Sequence, residues 1–278
     1  MNANEDMKRT PNFRDVLQTL GTYYIKGDLH FNESMHKYDL PVYKTDEVKE
    51  YWTQKEFKKQ YVYNALTLEG STYTFDQVSA TLDGEELDTA KTEYEVAALH
   101  GMSRAIDFVI GNIGTNITRQ KIEEINLWVG DAGKIIDYAG SIRGTIPMKR
   151  KDIKIDSGGK VFIGISAGTN GENLVNNFDK MLNDIYKLRP PLRGFVWSAN
   201  ATLWQYFKDG NKRTARLTQD WINANNGYLP VMISGIDHMT RYEYALRELF
   251  WTEDATKYID FMFNAYIERY VKSLQVNH

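Results

Sequence analysis

Residues 205–216 read Gln205-Tyr206-Phe207-Lys208-Asp209-Gly210-Asn211-Lys212-Arg213-Thr214-Ala215-Arg216. Helical apolar spacing runs from Leu192 to Leu203 and on to Phe207, Asp209-Gly210 is a turn signal, and helical spacing resumes at Asn211. The segment therefore reads as a helix end, a tight turn and a new helix start. The first turn of a helix has N–H groups without intrahelical acceptors and a partial positive charge. Lys212 and Arg213 sit in that turn and Arg216 one turn on, so three cations crowd the end of a helix where cations are disfavoured. That cost makes sense where an anion of several charges, such as a polyphosphate, lies among them. Asp209 adds one carboxylate, a natural oxygen ligand for Mg²⁺ shared with phosphate. The competing reading is a solvated basic helix start with Asp209 as its N-terminal cap.

Outward from this stretch, helical spacing dominates. A first helix is expected over Phe13 to Tyr24, capped by Asn12, and a long amphipathic helix from Thr45 to Glu69, stopped by Gly70. Thr74-Phe75-Asp76-Gln77 forms a capping box, Glu85 to Ile113 is helical in composition, and a further helix spans Thr118 to Val129. Two short alternating runs, Ile153-Lys154-Ile155 and Val161 to Ile165, flank the turn residues Ser157-Gly158-Gly159 and predict a β-hairpin. Helices follow over Leu174 to Ile185, Leu192 to Phe207 and Asn211 to Asn226, the last ended by Gly227 and Pro230. Thr240-Arg241-Tyr242-Glu243 reads as a capping box opening a helix through Leu249, and Asp254 to Leu274 is the last helix. The expected fold class is all-α with one hairpin, the first 45 or so residues packing as an extension.

The chain has 278 residues, 42% hydrophobic and 26% charged, which is ordinary globular usage and excludes a mostly disordered chain. A net charge of −3 supplies no global positive field for nucleic acid or anionic lipid, so any anion site must be local. With no cysteine there is no disulfide, thiolate zinc site, iron–sulfur cluster or cysteine nucleophile. The N-terminal residues have no signal-peptide core and no window reaches the length of an apolar membrane span, so a cytoplasmic protein is expected. Gly130-Asp131-Ala132-Gly133-Lys134 is too short for a P-loop, and the acidic run Asp83 to Glu95 reads as a solvated helix face.

Phe207 to Arg216 resembles the signature of the Fic family, whose pattern runs His-x-Phe-x-Asp/Glu-Gly-Asn-Gly/Lys-Arg-x-x-Arg; seven of its defining positions match. Asn226 to Pro230, the helix of Arg241 to Leu246, the preceding hairpin and Leu68-Glu69-Gly70 are similar to Fic elements in the expected order. The resemblance implies a Fic-like helical domain with one hairpin flap over residues 60–278, preceded by an N-terminal helical extension, 1–59. Typical members transfer AMP from ATP to a Ser, Thr or Tyr hydroxyl of a target protein. Carried over, it implies that Asp209 holds Mg²⁺, that Gly210, Asn211 and Lys212 form the anion hole, and that Arg213 and Arg216 bind the nucleotide phosphates. Phe207 reads better as a core anchor, since it continues an apolar helix face. The implied partner is a target protein docking by strand pairing on the hairpin 144–165. No nucleic acid or membrane partner is expected, and homo-oligomerisation is left open.

Three departures qualify that expectation. The family's histidine, which takes the proton of the attacking hydroxyl, is Gln205 here, a side chain with no suitable pKa. Loss of a general base typically costs about 10²- to 10⁴-fold, so weak or absent catalysis is expected, with a noncatalytic nucleotide-binding or interaction module as the alternative. Of the five histidines His30, His36, His100, His238 and His278, only His238 lies near a matched element, and Asn126 stands where a further family histidine is frequent. Some Fic proteins carry an inhibitory helix with the pattern Ser/Thr-x-x-x-Glu-Gly/Asn, whose glutamate pairs with the last motif arginine. Here Glu69-Gly70 is kept and the hydroxyl position is Ala65, so Glu69 is either regulatory or a solvated helix end. Lys212 in place of the commoner glycine is shared with Doc toxins, which phosphorylate their targets.

Overall fold

The computed structural model describes residues 22–33, 40–85, 91–130, 138–146, 153–157 and 160–271. Among them are strand β1 (Thr22–Tyr24), helices α1 (Thr45–Thr53), α2 (Lys55–Thr67), α3 (Phe75–Asp83), α4 (Glu93–Asn112) and α5 (Arg119–Gly130), strands β2 (Lys154–Ser157) and β3 (Lys160–Ile163), and helices α6 (Glu172–Asp184), α7 (Leu192–Trp204), α8 (Asn211–Ala224), α9 (Gly235–Thr252) and α10 (Thr256–Tyr270). The protein is a helical domain with one small sheet.

Helix α8 is the centre. Every residue from Arg213 to Ala224 is buried, and α7, packed along it, is buried at all positions from Gly194 to Leu203. Around this pair the fully buried rings of Trp52, Phe178, Trp197, Tyr206, Trp221 and Phe263 fill the core. Both helices are enclosed on every side, so apolar periodicity alone cannot say which face meets which neighbour.

The helix expected over Thr45 to Glu69 is two helices. Gln54 is extended (φ −61°, ψ 123°), and the break brings Tyr51 and Trp52 onto Phe57, with ring centroids 4.9 and 5.5 Å apart. Residues 59 and 60 lie inside α2. The capping box at Thr74 forms as expected, Thr74 Oγ1 accepting from Gln77 N at 3.3 Å and Gln77 Oε1 from Thr74 N at 3.1 Å. The helix expected from Glu85 begins only at Glu93: left-handed Gly84 closes α3, and Thr92 caps α4 with Glu95 completing the box. Residues 86–90 of the acidic run lie outside the described residues. Its described ends lie at the surface, with Asp83, Glu85 and Glu93 exposed; Asp83 pairs there with Lys55 and Lys59, and Glu95 caps α4. Helix α9 starts at Gly235, not Thr240, whose hydroxyl instead donates to Ile236 O within the helix.

The hairpin is present, Lys154 pairing with Ile163 and Ser157 with Lys160, and its turn residues 158–159 are outside the described set. It belongs to a three-stranded sheet of order β1-β3-β2, with Thr22 in parallel register with Val161. Thr22 to Tyr24 are thus a strand where the end of the first helix was expected, and Asn12 and residues 13–21 lie outside the described residues. The backbone groups of β3 that face away from β2 are the reason, since β1 satisfies them while Tyr23 packs on Phe162 at 5.5 Å and on Trp251 at 4.8 Å. No helix among the described residues is long and apolar enough to cross a membrane.

Inside α8, Asp220 is 1% exposed and accepts from Tyr61 OH at 2.7 Å, Val231 N at 3.0 Å and Gln219 Nε2 at 3.1 Å. Burial outweighs these donors and the nearby charge of Arg216, and pushes the carboxyl up to about 7. An unfolded aspartate ionises near pH 4 (about 3.9), so across roughly pH 4 to 7 the folded protein holds a proton that the unfolded chain has lost. Its stability therefore falls as pH rises through that window. Asp220→Asn keeps the shape without the charge. It should raise stability to chemical denaturation at pH 8 by on the order of a few kcal/mol and change it little at pH 4. Equal destabilisation at both pH values would show instead that the three donors hold the carboxylate ionised.

Candidate active site

The turn from α7 to α8 is left-handed at both ends. Gln205 has φ 49° and ψ 60°, and Gly210, the residue before α8, has φ 71°. A Cβ on Gly210 would lie 2.9 Å from Val129 Cγ1, so position and conformation both require glycine. Asn211 staples the turn, its Oδ1 accepting from Phe207 N at 2.8 Å and its Nδ2 donating to Phe207 O at 2.7 Å. What Asn211 can offer a ligand is therefore its backbone N–H. Asn126 on α5 fixes the other side, donating to Asp209 O at 2.9 Å and Thr214 Oγ1 at 3.1 Å and accepting from Gly140 N at 3.0 Å. Phe207 is 2% exposed, the core anchor that its apolar face implied.

Arg143 was not singled out by sequence. Fully buried, it donates from Nε to Gln205 O at 2.6 Å and from Nη2 to Ile165 O at 3.1 Å and Trp204 O at 3.2 Å. A cation at the C-terminal end of α7 meets the negative end of that helix and satisfies its last carbonyls. It also ties the exit of the hairpin to the turn. A lone arginine in a Gly/Ser-rich stretch gives no local signal of this.

The cations stand where the sequence put them, and one carboxylate holds two of them. Glu69 Oε1 is 3.1 Å from Arg216 Nη2 and Oε2 is 3.0 Å from Lys212 Nζ. The backbone of Glu69 is open to solvent at the end of α2, while its side chain turns inward and is 22% exposed. Burial works against its charge, but Arg216, Lys212 and Arg213 together hold the carboxyl below its usual range. Arg216 is buried as well, which works against its own charge, yet Tyr242 and Glu69 keep it fully cationic; Nη1 donates to Tyr242 OH at 2.8 Å. Arg213 is 5% exposed, 3.8 Å from Asp209 Oδ1, and its Nε has no hydrogen-bond partner among the described residues. Asp209 accepts from Gly210 N at 2.6 Å, and its side chain remains 36% exposed. No side chain caps α8.

In front of this cluster a cleft of about 410 Å³ opens between β2 and α9, with Gln205 and Lys212 at its floor and Tyr242, Leu246 and Phe250 along one wall. Gln205 is 7% exposed, and its Nε2 donates back to Thr202 O at 2.6 Å. The His238 ring is engaged with α10: its Nε2 is 2.8 Å from Glu268 Oε2, and Arg241 holds the same carboxylate.

No protein-family model and no curated protein matches the sequence. Solved structures do match. Fic-1 from C. elegans aligns with TM-score 0.63 at 19% identity, over 84% of this chain and 72% of that one. A Fic family protein from Desulfovibrio desulfuricans G20 gives 0.65 at 18% over 86% and 78%. A Fic domain containing signaling protein from Bacteroides thetaiotaomicron VPI-5482 gives 0.62 at 17% over 82% and 88%. At such identities what is shared is the fold, and the chain has the fold of a Fic domain.

Proposed function

We propose that the start of α8 binds ATP with Mg²⁺ and that the protein is a Fic-like adenylyltransferase, transferring AMP to a protein hydroxyl, with its acid–base group lost and turnover weak or absent. The observation that carries this reading is the cluster itself: Lys212, Arg213 and Arg216 at an uncapped helix start, with a buried guanidinium Nε that has no hydrogen-bond partner among the described residues. A buried unpaired polar atom is costly, and a phosphate oxygen would satisfy it. The donor set also suits the metal. Among the described residues no group of three or more His, Cys, Asp or Glu side chains is arranged to hold a metal ion, and Asp209 alone would share Mg²⁺ with phosphate oxygens, as that hard cation commonly does. When bound, Mg²⁺ would neutralise charge on the phosphates.

In the transfer, the target hydroxyl oxygen forms a bond to the α-phosphorus, the bond from that phosphorus to the bridging oxygen breaks, and pyrophosphate leaves. The hydroxyl proton needs an acceptor. Gln205 cannot take it, and its amide is engaged with Thr202. Arg213 and Arg216 would hold the phosphates, the N–H groups of the first turn would face the transferred group, and the free edge of β2 would align the target segment. The engaged amide of Gln205 also favours a second reading, a nucleotide-binding module without catalysis.

Calorimetry on wild type, Arg213→Ala and Glu69→Gly tests the site. ATP with Mg²⁺ should bind wild type, bind Arg213→Ala far more weakly, and bind Glu69→Gly roughly 5- to 150-fold more tightly, the usual span of a coupling between two groups competing for one partner. Equal binding by wild type and Arg213→Ala, or none by Glu69→Gly, would contradict it. Gln205→His in the Glu69→Gly background separates enzyme from module. Histidine tolerates the left-handed backbone, and protein labelling from labelled ATP should rise about 10²- to 10⁴-fold and vanish with Asp209→Ala. Strong labelling by wild type would mean that a base other than position 205 serves. ATP binding without labelling in any variant would make the module the better description.

A further inference from the structure

After β1 the chain runs as a strap, residues 25–30, held at its centre by one carboxylate. Glu253 Oε1 accepts from Lys26 N at 2.6 Å, and Oε2 accepts from Gly27 N at 2.8 Å and Asp28 N at 2.6 Å. Three consecutive N–H groups make an anion-binding nest, here filled by the protein's own side chain. The strap continues onto the same corner: His30 N donates to Glu253 O at 3.1 Å and Ala255 N to His30 O at 2.8 Å. Glu253 sits just past α9 with φ 59°, a left-handed position that glycine takes freely and a residue with a Cβ takes at a cost. A glutamate there is explained by its carboxylate and not by the turn.

The strap touches residues next to the cleft on two sides, the hairpin and the end of α7. Ile25 N donates to Ile163 O at 3.1 Å, extending the pairing of β1 with the hairpin. Gly27 has φ 93°, and a Cβ on it would come within 2.7 Å of the Trp204 ring and 2.9 Å of Ile165 Cδ1. Trp204 immediately precedes Gln205, and Ile165 lies where the hairpin leaves the sheet. On the sheet itself, β3 rests on α9 through Phe162 against Phe250 at 5.7 Å and Lys160 Nζ 3.0 Å from the centre of the Trp251 ring.

We infer that Glu253 is a positioning residue for the cleft: by clamping the strap it fixes β1, and through β1 the hairpin whose free edge β2 faces α9. Its consequence for target docking rests on the reading of that edge as the docking strand. The clamp itself does not. Once the carboxylate is lost, the amides of Lys26, Gly27 and Asp28 lose their acceptor, and β1 and the hairpin depend more heavily on their ring contacts with α9, Tyr23 on Trp251 and Phe162 on Phe250.

Hydrogen exchange read by mass spectrometry on the full chain, without nucleotide, tests this on wild type, Glu253→Gly, Glu253→Gln and Gly27→Ala. Amides of residues 22–30 and 154–163 should exchange roughly ten-fold or more faster in Glu253→Gly, with Glu253→Gln between it and wild type because one acceptor oxygen remains. Amides of α8 should be unchanged. Gly27→Ala, which wedges the strap off Trp204 with the carboxylate intact, should give the same pattern and serves if Glu253→Gly does not fold. Glycine at 253 relieves the backbone, so unchanged or slower hairpin exchange in Glu253→Gly would overturn the assignment. Acceleration spread equally over α8 would overturn it too, marking a general loss of stability. Neither outcome depends on whether the start of α8 binds ATP, so failure here and failure of the nucleotide site are distinguishable.

Discussion

Two enclosed helices, α7 and α8, meet across the short turn of residues 205–210, and that meeting creates opposite demands within a few ångströms. The end of α7 presents unpaired carbonyls and the start of α8 unpaired N–H groups. The protein settles the first internally, with the buried guanidinium of Arg143 on the carbonyls of Trp204 and Gln205. It leaves the second without a side-chain cap. Asn211 and Asn126 then hold the turn rigid from within and from α5, so the open donors point in a fixed direction. Rigid donors without partners are what an anion site needs, because the reorganisation has been completed on folding.

Charge follows from the same geometry. Three cations around an uncapped helix start repel one another and the helix dipole, and Glu69 relieves two of them. It reaches them because α2 is attached to α8 at a second point, the hydrogen bond from Tyr61 to Asp220, about two turns back in the middle of α2. The break at Gln54 gives α2 a course independent of α1. Glu69 thus pairs with Arg216 and Lys212, while Arg213 Nε has no hydrogen-bond partner among the described residues. On the proposed function, a polyphosphate would compete with Glu69 for the same cations, which would make the end of α2 a point of control.

The helices with strong apolar period, such as α5 and α6, were legible in sequence because burial of one face dictates the spacing of Leu, Ile, Val and aromatic residues, and α8 was legible from its start and stop signals. The break at Gln54 was not, since nothing in Trp52-Thr53-Gln54 opposes a helix and the reason lies in how Trp52 and Phe57 pack. Strand β1 was misread because its partner, Val161 to Ile163, is far away in the chain and three residues carry no period of their own. Thr240 to Glu243 has the spacing of a capping box yet sits inside α9, showing that the motif marks a helix start only where the preceding backbone is extended. At the site, the cations and Asp209 were readable from helix-end electrostatics. The pairing of Glu69 with Arg216 followed only from family resemblance, and Arg143, Tyr242 and Glu253 act through contacts that no local pattern announces.

The claim on which these points converge is that the start of α8 is a polyphosphate site occupied at present by Glu69. An electron density map of Glu69→Gly crystals soaked with ATP and Mg²⁺ tests it most directly. The expected map shows phosphates against the first-turn N–H groups of α8, with Arg213 Nε and Arg216 in contact and a metal ion between Asp209 and a phosphate oxygen. A map with nucleotide bound elsewhere, or with Arg213 and Arg216 turned away from it, would contradict the claim.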